Sequence, residues 1–304
     1  YSNLQTAVNA AQEGDTILVA ASPVSYGFIN LKKTLTLIGE GYKGNFTKLE
    51  SLECSRTNSA LSASGSFVSG FKINYITFSA NYSGAPSNTN LYLNNITIER
   101  CQILSSGLIS FDVNSQWYKY QNNVFRNNII EGYINFASGY SGSVGSVIPF
   151  TNLQIENNIF SGLNSTIQSS VLTAVNNNIP YISVQVSTSG VSIKNNMFLS
   201  NTAGVFRYLR GAVVENNIFY GAEPIYVSLY EIVDGDIYDS LYVYLNYNNN
   251  LQYYSTQNVT SSGWFGVGSE NLNANPLFEN YPLDGTAFSF DHDYNLKTSS
   301  PALG

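Results

Sequence analysis

One spacing of inward-looking residues recurs seven times along this chain and constrains its fold more than any other feature. Each unit marks four positions, separated by two, three and two residues, and ends in Phe, Ile or Leu. The units are Phe71-Ile73-Ile76-Phe78, Ile96-Ile98-Cys101-Ile103, Tyr118-Tyr120-Asn123-Phe125, Leu153-Ile155-Asn158-Phe160, Val191-Ile193-Asn196-Phe198, Ala212-Val214-Asn217-Phe219 and Tyr244-Asn246-Asn249-Leu251. Units this short bury their apolar face only by stacking on their neighbours. The sequence therefore predicts a solenoid whose coils contain roughly 21 to 22 residues, with insertions of variable length.

The local pattern within each unit predicts strands and corners. Its first two positions lie two residues apart, which is the spacing of side chains on one face of a strand. Five units then contain an Asn-Asn pair, in which one Asn can turn a corner in the left-handed region while the other points inward. Inward amides about 4.8 Å apart can bond from coil to coil. The predicted ladder residues are Asn123, Asn158, Asn196, Asn217 and Asn249, and the alternative role for so many asparagines is a ligand surface.

Both ends of the chain carry further signals. Residues 4–11 have the apolar stripe of a short helix, which Gly14 is placed to stop, and residues 16–19 and 35–39 (LTLIG) read as strands. Residues 275–278 (NPLF), 293–296 (DYNL) and 299–304 (SSPALG) follow the last unit. Together these segments resemble the single-stranded right-handed parallel β-helix of the pectate-lyase-like superfamily, as found in secreted or surface-associated bacterial proteins. The resemblance implies an all-β solenoid with an N-terminal capping helix, and it does not specify an activity.

The predicted organisation is one elongated domain. We expect a cap helix at 1–14, stacked coils from about 15 to 274 and a closing coil at 275–304. We also expect the chain to be a piece of a larger exported protein, secreted or on the cell surface, with flanking domains of the same polypeptide.

Composition limits the partners. Only 11% of the residues are charged and the net charge is -7, with no basic cluster larger than Lys32-Lys33. This argues against nucleic acid, which requires a Lys/Arg footprint. No apolar run reaches 18 residues, so no membrane span is predicted. A polysaccharide or cell-surface glycan is the expected partner.

Two cysteines test the predicted register. Cys101 occupies the inward ladder position of its unit, and Cys54 is assigned to the same position two coils earlier. That register separates the sulfurs by roughly 9 to 10 Å, beyond disulfide reach, and predicts two buried thiols. A disulfide would show that the register near Cys54 is wrong.

The catalytic candidates are few. By resemblance, lyases of this superfamily use calcium-binding carboxylates with a Lys or Arg base, and the related hydrolases use clustered Asp residues. Glu156, Lys194 and Glu215 are predicted to lie on consecutive coils, either as acid, base and binding cation or as a row of surface charges. Arg207 and Arg210, close to Tyr208, suit a uronate or sulfate, or else cover aromatic surface.

A second set of candidates concerns metal binding. Asp234, Asp236 and Asp239 surround a glycine and could supply oxygen ligands to calcium, although the EF-hand spacing is absent and a solvated loop is the alternative. No cofactor is required. The Asp291-His292-Asp293 triplet alternates between strand faces, so we do not assign catalysis to it.

Insertions near residues 137–150, 164–182 and 223–242 must leave the cylinder and could line one shared face. Tyr140, Tyr181, Tyr226 and Tyr230 in these insertions suit stacking on sugar rings, or they simply cover strands, for which Tyr has good propensity.

Two function classes follow from the sequence. The first is a non-catalytic, adhesin-like or glycan-binding module, favoured by the low charge and by the lack of a convincing cluster of carboxylates and a base. The alternative is a polysaccharide lyase or glycoside hydrolase acting on an acidic polysaccharide, which the fold resemblance implies by analogy alone.

Overall fold

The structure, a computed structural model, describes residues 3–44, 46–58, 60–80, 89–113, 117–138, 149–161, 167–168, 188–199, 206–207, 210–221, 232–233, 236–237, 244–253, 270–281 and 289–303. The elements of the first half are α1 (Leu4–Ala10), β1 (Thr16–Val19), β2 (Phe28–Leu31), β3 (Thr36–Gly39), β4 (Lys48–Ser55), β5 (Phe67–Ser69), β6 (Lys72–Ser79), β7 (Leu91–Asn94), β8 (Thr97–Glu99), β9 (Gln102–Asp112), β10 (Tyr118–Gln121), β11 (Val124–Arg126), β12 (Ile129–Ile130), β13 (Tyr133–Ser138) and β14 (Phe150–Thr151). The remaining elements are β15 (Leu153–Glu156), β16 (Ile159–Ser161), β17 (Ile167–Gln168), β18 (Val191–Lys194), β19 (Met197–Leu199), β20 (Phe206–Arg207), β21 (Arg210–Glu215), β22 (Ile218–Tyr220), β23 (Ile232–Val233), β24 (Asp236–Ile237), β25 (Tyr244–Asn248), β26 (Leu251–Tyr253), β27 (Leu272–Asn273), β28 (Phe278–Asn280), β29 (Asp293–Leu296) and a 3₁₀ helix at Pro301–Leu303.

Two long parallel sheets run along the molecule, and successive turns of the chain add one strand to each; a third parallel sheet has three described strands. The first sheet has the order β1-β3-β5-β8-β11-β15-β18-β21-β25. The second has the order β2-β4-β6-β9-β12-β16-β19-β22-β26-β27, with β13, β17 and β20 at its side, and the third has the order β14-β10-β7. Parallel crossovers of this kind are right-handed in nearly all proteins. The predicted all-β parallel β-helix with a short N-terminal helix is confirmed.

The helix α1 lies over one end of the core. Asn3 caps it by accepting a hydrogen bond from the Thr6 backbone N–H at 2.9 Å, and Leu4, Ala7 and Val8 are buried. An N-cap side chain of this kind satisfies a backbone donor that the first helical turn leaves free. The helix thereby covers apolar residues that the first coil could not bury alone.

Aromatic rings stack along the interior. The ring of Phe198 lies between those of Phe160 and Phe219, with centroid separations of 4.6 and 4.7 Å, and all three side chains are buried. Because parallel strands repeat in register, one residue type can fill the same place in consecutive coils. The rings form part of one continuous core.

The strand pairing corrects the predicted register in three of the seven units. Ile73, not Phe78, pairs with Ile103; Ile130, not Phe125, pairs with Phe160; and Gln252, not Leu251, follows Phe219. The other four units are aligned as predicted. The errors arose where two overlapping segments fit the same spacing, as they do around Asn122-Asn123 and Asn127-Asn128.

Asparagines form a hydrogen-bonded column at the turn between the first and second sheets; five of them are buried and the last, Asn271, is half-buried. Each side-chain N–H donates to the side-chain oxygen of the next member, at 2.9 to 3.3 Å. The members are Asn128, Asn158, Asn196, Asn217, Asn250 and Asn271, separated along the chain by 30, 38, 21, 33 and 21 residues. The backbone N–H of Asn158 also donates to the side-chain oxygen of Asn196, at 2.9 Å, so the column also pairs backbone groups at the turns.

Two predicted ladder residues lie elsewhere. Asn249 is exposed with a φ of 52°, because it makes the turn and its neighbour Asn250 points inward. Asn123 is buried, but at a different corner, where it accepts from the Ile96 N–H at 2.9 Å and donates to the Leu93 carbonyl at 3.1 Å. The prediction for Asn249 was wrong by one residue, and the prediction for Asn123 named the wrong stack.

The two cysteines are buried free thiols, as predicted. Cys101 lies in line with the asparagine column, since its backbone N–H donates to the Asn128 side chain at 2.9 Å. Cys54 lies in another column, paired with Phe78, so the register predicted around it was wrong. Burial raises the pKa of each thiol to about 12, which keeps both protonated near neutral pH.

The outer face of the second sheet carries apolar residues that the C-terminal segment covers. Strands β28 and β29 pair antiparallel with each other, and Phe278 and Tyr281 pack with Leu199 and Tyr220. Ile159, Met197 and Ile218, which point outward from three consecutive coils, pack against the same cluster. The C-terminal strand pair, β28 with β29, therefore lies along the side of the solenoid.

Removing this cover should make the protein aggregate. A chain cut before Asn275 loses the C-terminal strand pair and exposes the outward apolar column of β16, β19 and β22. Light scattering after size-exclusion chromatography would measure the effect, with a chain shortened only by residues 298–304 as the control. A truncated chain that stays a soluble monomer would contradict the prediction.

Candidate functional site

A row of alternating charges follows the outer edge of the first sheet. The strands place Glu99, Arg126, Glu156, Lys194 and Glu215 in register on five consecutive coils. We call these five residues the charge row. Its spacing of about 4.8 Å per coil brings each side chain within reach of its neighbours. Glu156, Lys194 and Glu215 thus lie on adjacent coils, and Arg126 and Glu99 extend the row by two coils.

Most of the charge row is neutralised internally. Arg126 Nε lies 2.7 Å from Glu99 Oε2, and Lys194 Nζ lies 2.8 Å from Glu215 Oε2. The Glu99 side chain is only 9% exposed. The Lys194 ammonium group is thus held in an ion pair and is not placed as a free catalytic base. Glu156 is the one member of the row without an ion pair to another described residue.

Next to the charge row runs a second row made of exposed amides. Asn127, Asn157, Asn195, Asn216 and Asn249 each follow the last residue of a first-sheet strand, and we call them the amide row. All five are exposed, with φ between 52° and 57°, so they adopt the left-handed conformation that Asn tolerates. In the first four, the backbone N–H group donates to a carbonyl of the following coil, for example Asn157 to Lys194 at 3.3 Å. Each of the five coils therefore holds one asparagine at the same place in the turn.

The side chains of the amide row make no hydrogen bond to the described residues. The contrast with another exposed corner is clear. There Asn95, Asn122 and Asn152 have the same left-handed conformation, but Asn122 donates to Asn95 at 3.2 Å and Asn152 donates to Asn122 at 3.0 Å. One corner uses its amides internally, whereas the amide row leaves donors and acceptors available to a ligand.

Several predicted site residues have no described side chain. Arg207 and Arg210 belong to β20 and β21, and Asp236 belongs to β24, but only their backbone is described. Asp234, Asp239, Tyr140, Tyr181, Tyr226 and Tyr230 lie outside the described residues. Within the described part, no group of three or more His, Cys, Asp or Glu residues could hold a metal ion. The calcium site and the tyrosine surface stay predictions.

Sequence reasoning missed two members of this face. Arg126 and Asn127 were passed over because the pair Asn122-Asn123 was chosen for the third unit. The signal was present, since Asn127-Asn128 is followed by Ile129-Ile130 just as Asn157-Asn158 is followed by Ile159-Phe160.

Among the described residues, the structure contains no helix with the length and hydrophobicity that a membrane crossing requires.

Comparison with known proteins gives one weak structural match. No family model matches the chain, and no curated protein does. Among solved structures, a mutant of the PL6 family alginate lyase AlyGC is similar, with 14% sequence identity and a TM-score of 0.28. The match covers 99% of this chain and 56% of the lyase, so the chain spans about half the length of that protein. A likeness of this size carries no information about the activity of this chain.

Proposed function

We propose that this protein is a secreted or cell-surface β-helix module that binds a linear glycan along the amide row without cleaving it. The observation that carries the proposal is the row of five exposed amides, in register and without partners among the described residues. An amide group offers two donors and an acceptor, which match the hydroxyl groups of a sugar.

The geometry of the row supports a polymeric ligand. Its amides repeat about every 4.8 Å from coil to coil, so a ligand with its own repeat can make the same contact several times. A single neutral hydrogen bond contributes only about 1 kcal/mol. Several such contacts within one chain add up, because the later contacts form within a molecule that is already bound.

The charge row argues against catalysis. A lyase or hydrolase requires an acid and a base that are free to exchange protons with the substrate. Four of the five charged side chains in the row are in ion pairs. Among the described side chains, the alternative function, cleavage of an acidic polysaccharide, is favoured only by Glu156, whose carboxylate has no ion pair to another described residue.

An assay for both binding and turnover would test the proposal. The purified protein is run in native gels that contain galactan, mannan, xylan, polygalacturonate or alginate, with and without calcium. In parallel, product formation is followed by ultraviolet absorbance and by reducing ends. We expect retarded migration in at least one polysaccharide without product. Product formation would favour the enzyme, and unchanged migration in every gel would contradict glycan binding.

Glycine substitutions would locate the binding surface. Glycine adopts the left-handed conformation at least as readily as asparagine, so Asn157→Gly with Asn195→Gly removes two amides while keeping the turns. We expect the double variant to bind the retarding polysaccharide roughly tenfold more weakly, measured by affinity electrophoresis.

The matched control is Asn122→Gly with Asn152→Gly. It changes two exposed left-handed asparagines at the corner formed by Asn95, Asn122 and Asn152, whose side chains bond to one another; we call this the self-bonded corner. This control should bind like the wild type. Equal losses in the two double variants would show that the effect is not specific to the amide row.

A further inference from the structure

A cleft of about 260 Å³ lies between the C-terminal segment and the start of the amide row. We call it the C-terminal cleft. Its lining includes Asn127 and Asn157 from the amide row, Phe290, His292 and Tyr294 from the C-terminal segment, and Tyr42 from the N-terminal part of the chain. Residues from three distant parts of the sequence thus meet at one end of the proposed glycan surface.

Aromatic contacts build the wall of the cleft. The rings of Tyr42 and Phe290 stack with centroids 5.8 Å apart and an interplanar angle of 27°. Tyr281 places its ring against His292 at 5.4 Å. The apolar faces of aromatic rings suit the C–H face of a sugar ring, which also loses apolar surface to water on binding.

His292 contacts the hydroxyl group of a neighbouring tyrosine. Its Nδ1 lies 3.3 Å from the Tyr294 hydroxyl, and which of the two atoms donates depends on the tautomer of the ring. The same hydroxyl donates to the Ser289 carbonyl at 3.2 Å and accepts from the Ser289 N–H at 3.0 Å. The other ring nitrogen, Nε2, has no partner among the described residues, so it can form a hydrogen bond with a ligand in either tautomer.

Other polar groups complete a set of donors and acceptors. The side-chain amides of Asn127 and Asn157 are exposed and unbonded within the described part. Tyr42 is half-buried, and burial raises the pKa of its hydroxyl, an effect to which the Cys101 thiol adds and which Arg100 opposes. Its phenol therefore stays protonated and can donate.

The acidic groups beside the cleft favour a neutral ligand over an anion. No Lys or Arg is among its described lining residues; Lys43 Nζ lies 5.4 Å from the centroid of the Phe290 ring and is engaged by that ring, and Arg100 acts on the Tyr42 hydroxyl. Asp291 and Asp293, both exposed, flank His292, and the whole chain carries a net charge of -7. A uronate or sulfate would need a cationic partner in such a place. The volume also lies below the range of about 300 to 1,000 Å³ that holds drug-sized ligands, which fits one sugar ring better than several.

We propose that the C-terminal cleft binds one neutral pyranose unit at the end of a glycan that runs along the amide row. This inference rests on the proposed function, because it assigns a subsite to the same glycan. It adds the chemical class of the bound unit and the residues that read it: stacking on the wall of Tyr42 and Phe290, and hydrogen bonds with Asn127, Asn157 and His292.

The single histidine provides a direct probe. His292 is the only histidine of the chain, so its imidazole C–H signals can be followed by NMR without ambiguity. Cellohexaose, mannohexaose and β-1,4-galactohexaose are the neutral probes, and hexamers of guluronate and galacturonate are the acidic ones. We expect the His292 signals to shift with a neutral hexamer and to saturate at the same concentration as binding measured by calorimetry.

Variants separate the subsite from the rest of the surface. His292→Ala and Phe290→Ala should each weaken binding of the neutral hexamer about tenfold, with Asn122→Gly as the control on the self-bonded corner. Thermal midpoints close to the wild type would show that the variants remain folded. The NMR shift in the unmodified protein tests the idea even if a variant fails to fold.

The possible outcomes separate the two proposals. Binding of a neutral hexamer with unmoved His292 signals would overturn the cleft assignment and leave glycan binding intact. Tighter binding of an acidic hexamer would overturn the neutral class. If no hexamer binds and no polysaccharide retards migration, glycan binding itself fails, and the subsite fails with it.

Discussion

Asn196→Ala should lower the free energy of unfolding by about 3 kcal/mol or more. Asn196 lies in the middle of the asparagine column. Its side-chain oxygen accepts two hydrogen bonds from Asn158, one from the backbone N–H at 2.9 Å and one from the side-chain amide at 3.0 Å. Its own amide donates to the Ile155 carbonyl at 2.8 Å and to Asn217 at 3.1 Å. Alanine leaves several of these buried groups without partners, and each unsatisfied group costs about 1 to 3 kcal/mol.

Urea unfolding followed by circular dichroism would measure this loss. The matched control is Asn195→Gly, which changes the adjacent exposed asparagine at a φ of 56° and keeps the turn. We expect the control to stay within about 0.5 kcal/mol of the wild type. Similar losses in both variants would mean that the turn, and not the buried column, supplies the stability.

Phe198→Ala should cost about 3 to 5 kcal/mol. The Phe198 side chain is 1% exposed and is stacked between two other phenylalanines at 4.6 and 4.7 Å. Truncation removes the transfer free energy of the ring and leaves a cavity that the rigid coils above and below can close only in part. In a solenoid, each coil depends on its neighbours, so a defect in the middle also weakens the coupling between the two halves.

Urea unfolding at two wavelengths would test the second prediction, with Phe198→Leu as the conservative control. The leucine variant should lose less than half as much as the alanine variant, because it keeps most of the buried apolar volume. Separation of the unfolding curve into two transitions would show the loss of coupling. A decrease of less than about 1 kcal/mol in the free energy of unfolding for Phe198→Ala would contradict tight packing of Phe198 between its two neighbouring rings.

The fold could be predicted from the sequence because each coil repeats the same arrangement of inward apolar side chains and turn asparagines. The two-residue spacing of apolar side chains and the Asn-Asn pairs predicted stacked parallel strands, and Glu156, Lys194 and Glu215 do lie on consecutive coils. The register was ambiguous at residues 118–130, which contain two Asn-Asn pairs, and at the run Asn248-Asn249-Asn250. A shift of one residue turns every side chain of a strand to the other face, so only the pairing with neighbouring coils decides between such alternatives.

The sequence contains a pattern that predicts a cover such as the C-terminal strand pair over the outer face of the second sheet. Adjacent apolar residues such as Ile159-Phe160, Met197-Phe198 and Ile218-Phe219 predict strands that are buried on both faces. One face is the core, and the other is covered by the C-terminal segment.

The cleft could not be predicted in the same way. Tyr42 and Phe290 come from opposite ends of the chain, and no local pattern indicates that their rings meet. The availability of the amide row is also a property of the folded molecule. Asn122 and Asn157 look alike in sequence, since each begins an Asn-Asn pair, yet only Asn122 uses its side chain to bond a neighbouring coil.

The measurement that tests the central claim most directly is the dependence of affinity on ligand length. The five amides span about 19 Å, since four intervals of about 4.8 Å separate the first from the last. Calorimetry with a series of oligosaccharides from the retarding polysaccharide should show affinity that rises with each added unit until the ligand spans the row, and then stays constant. Affinity that is independent of length from the shortest ligand onward would contradict a glycan bound along the amide row.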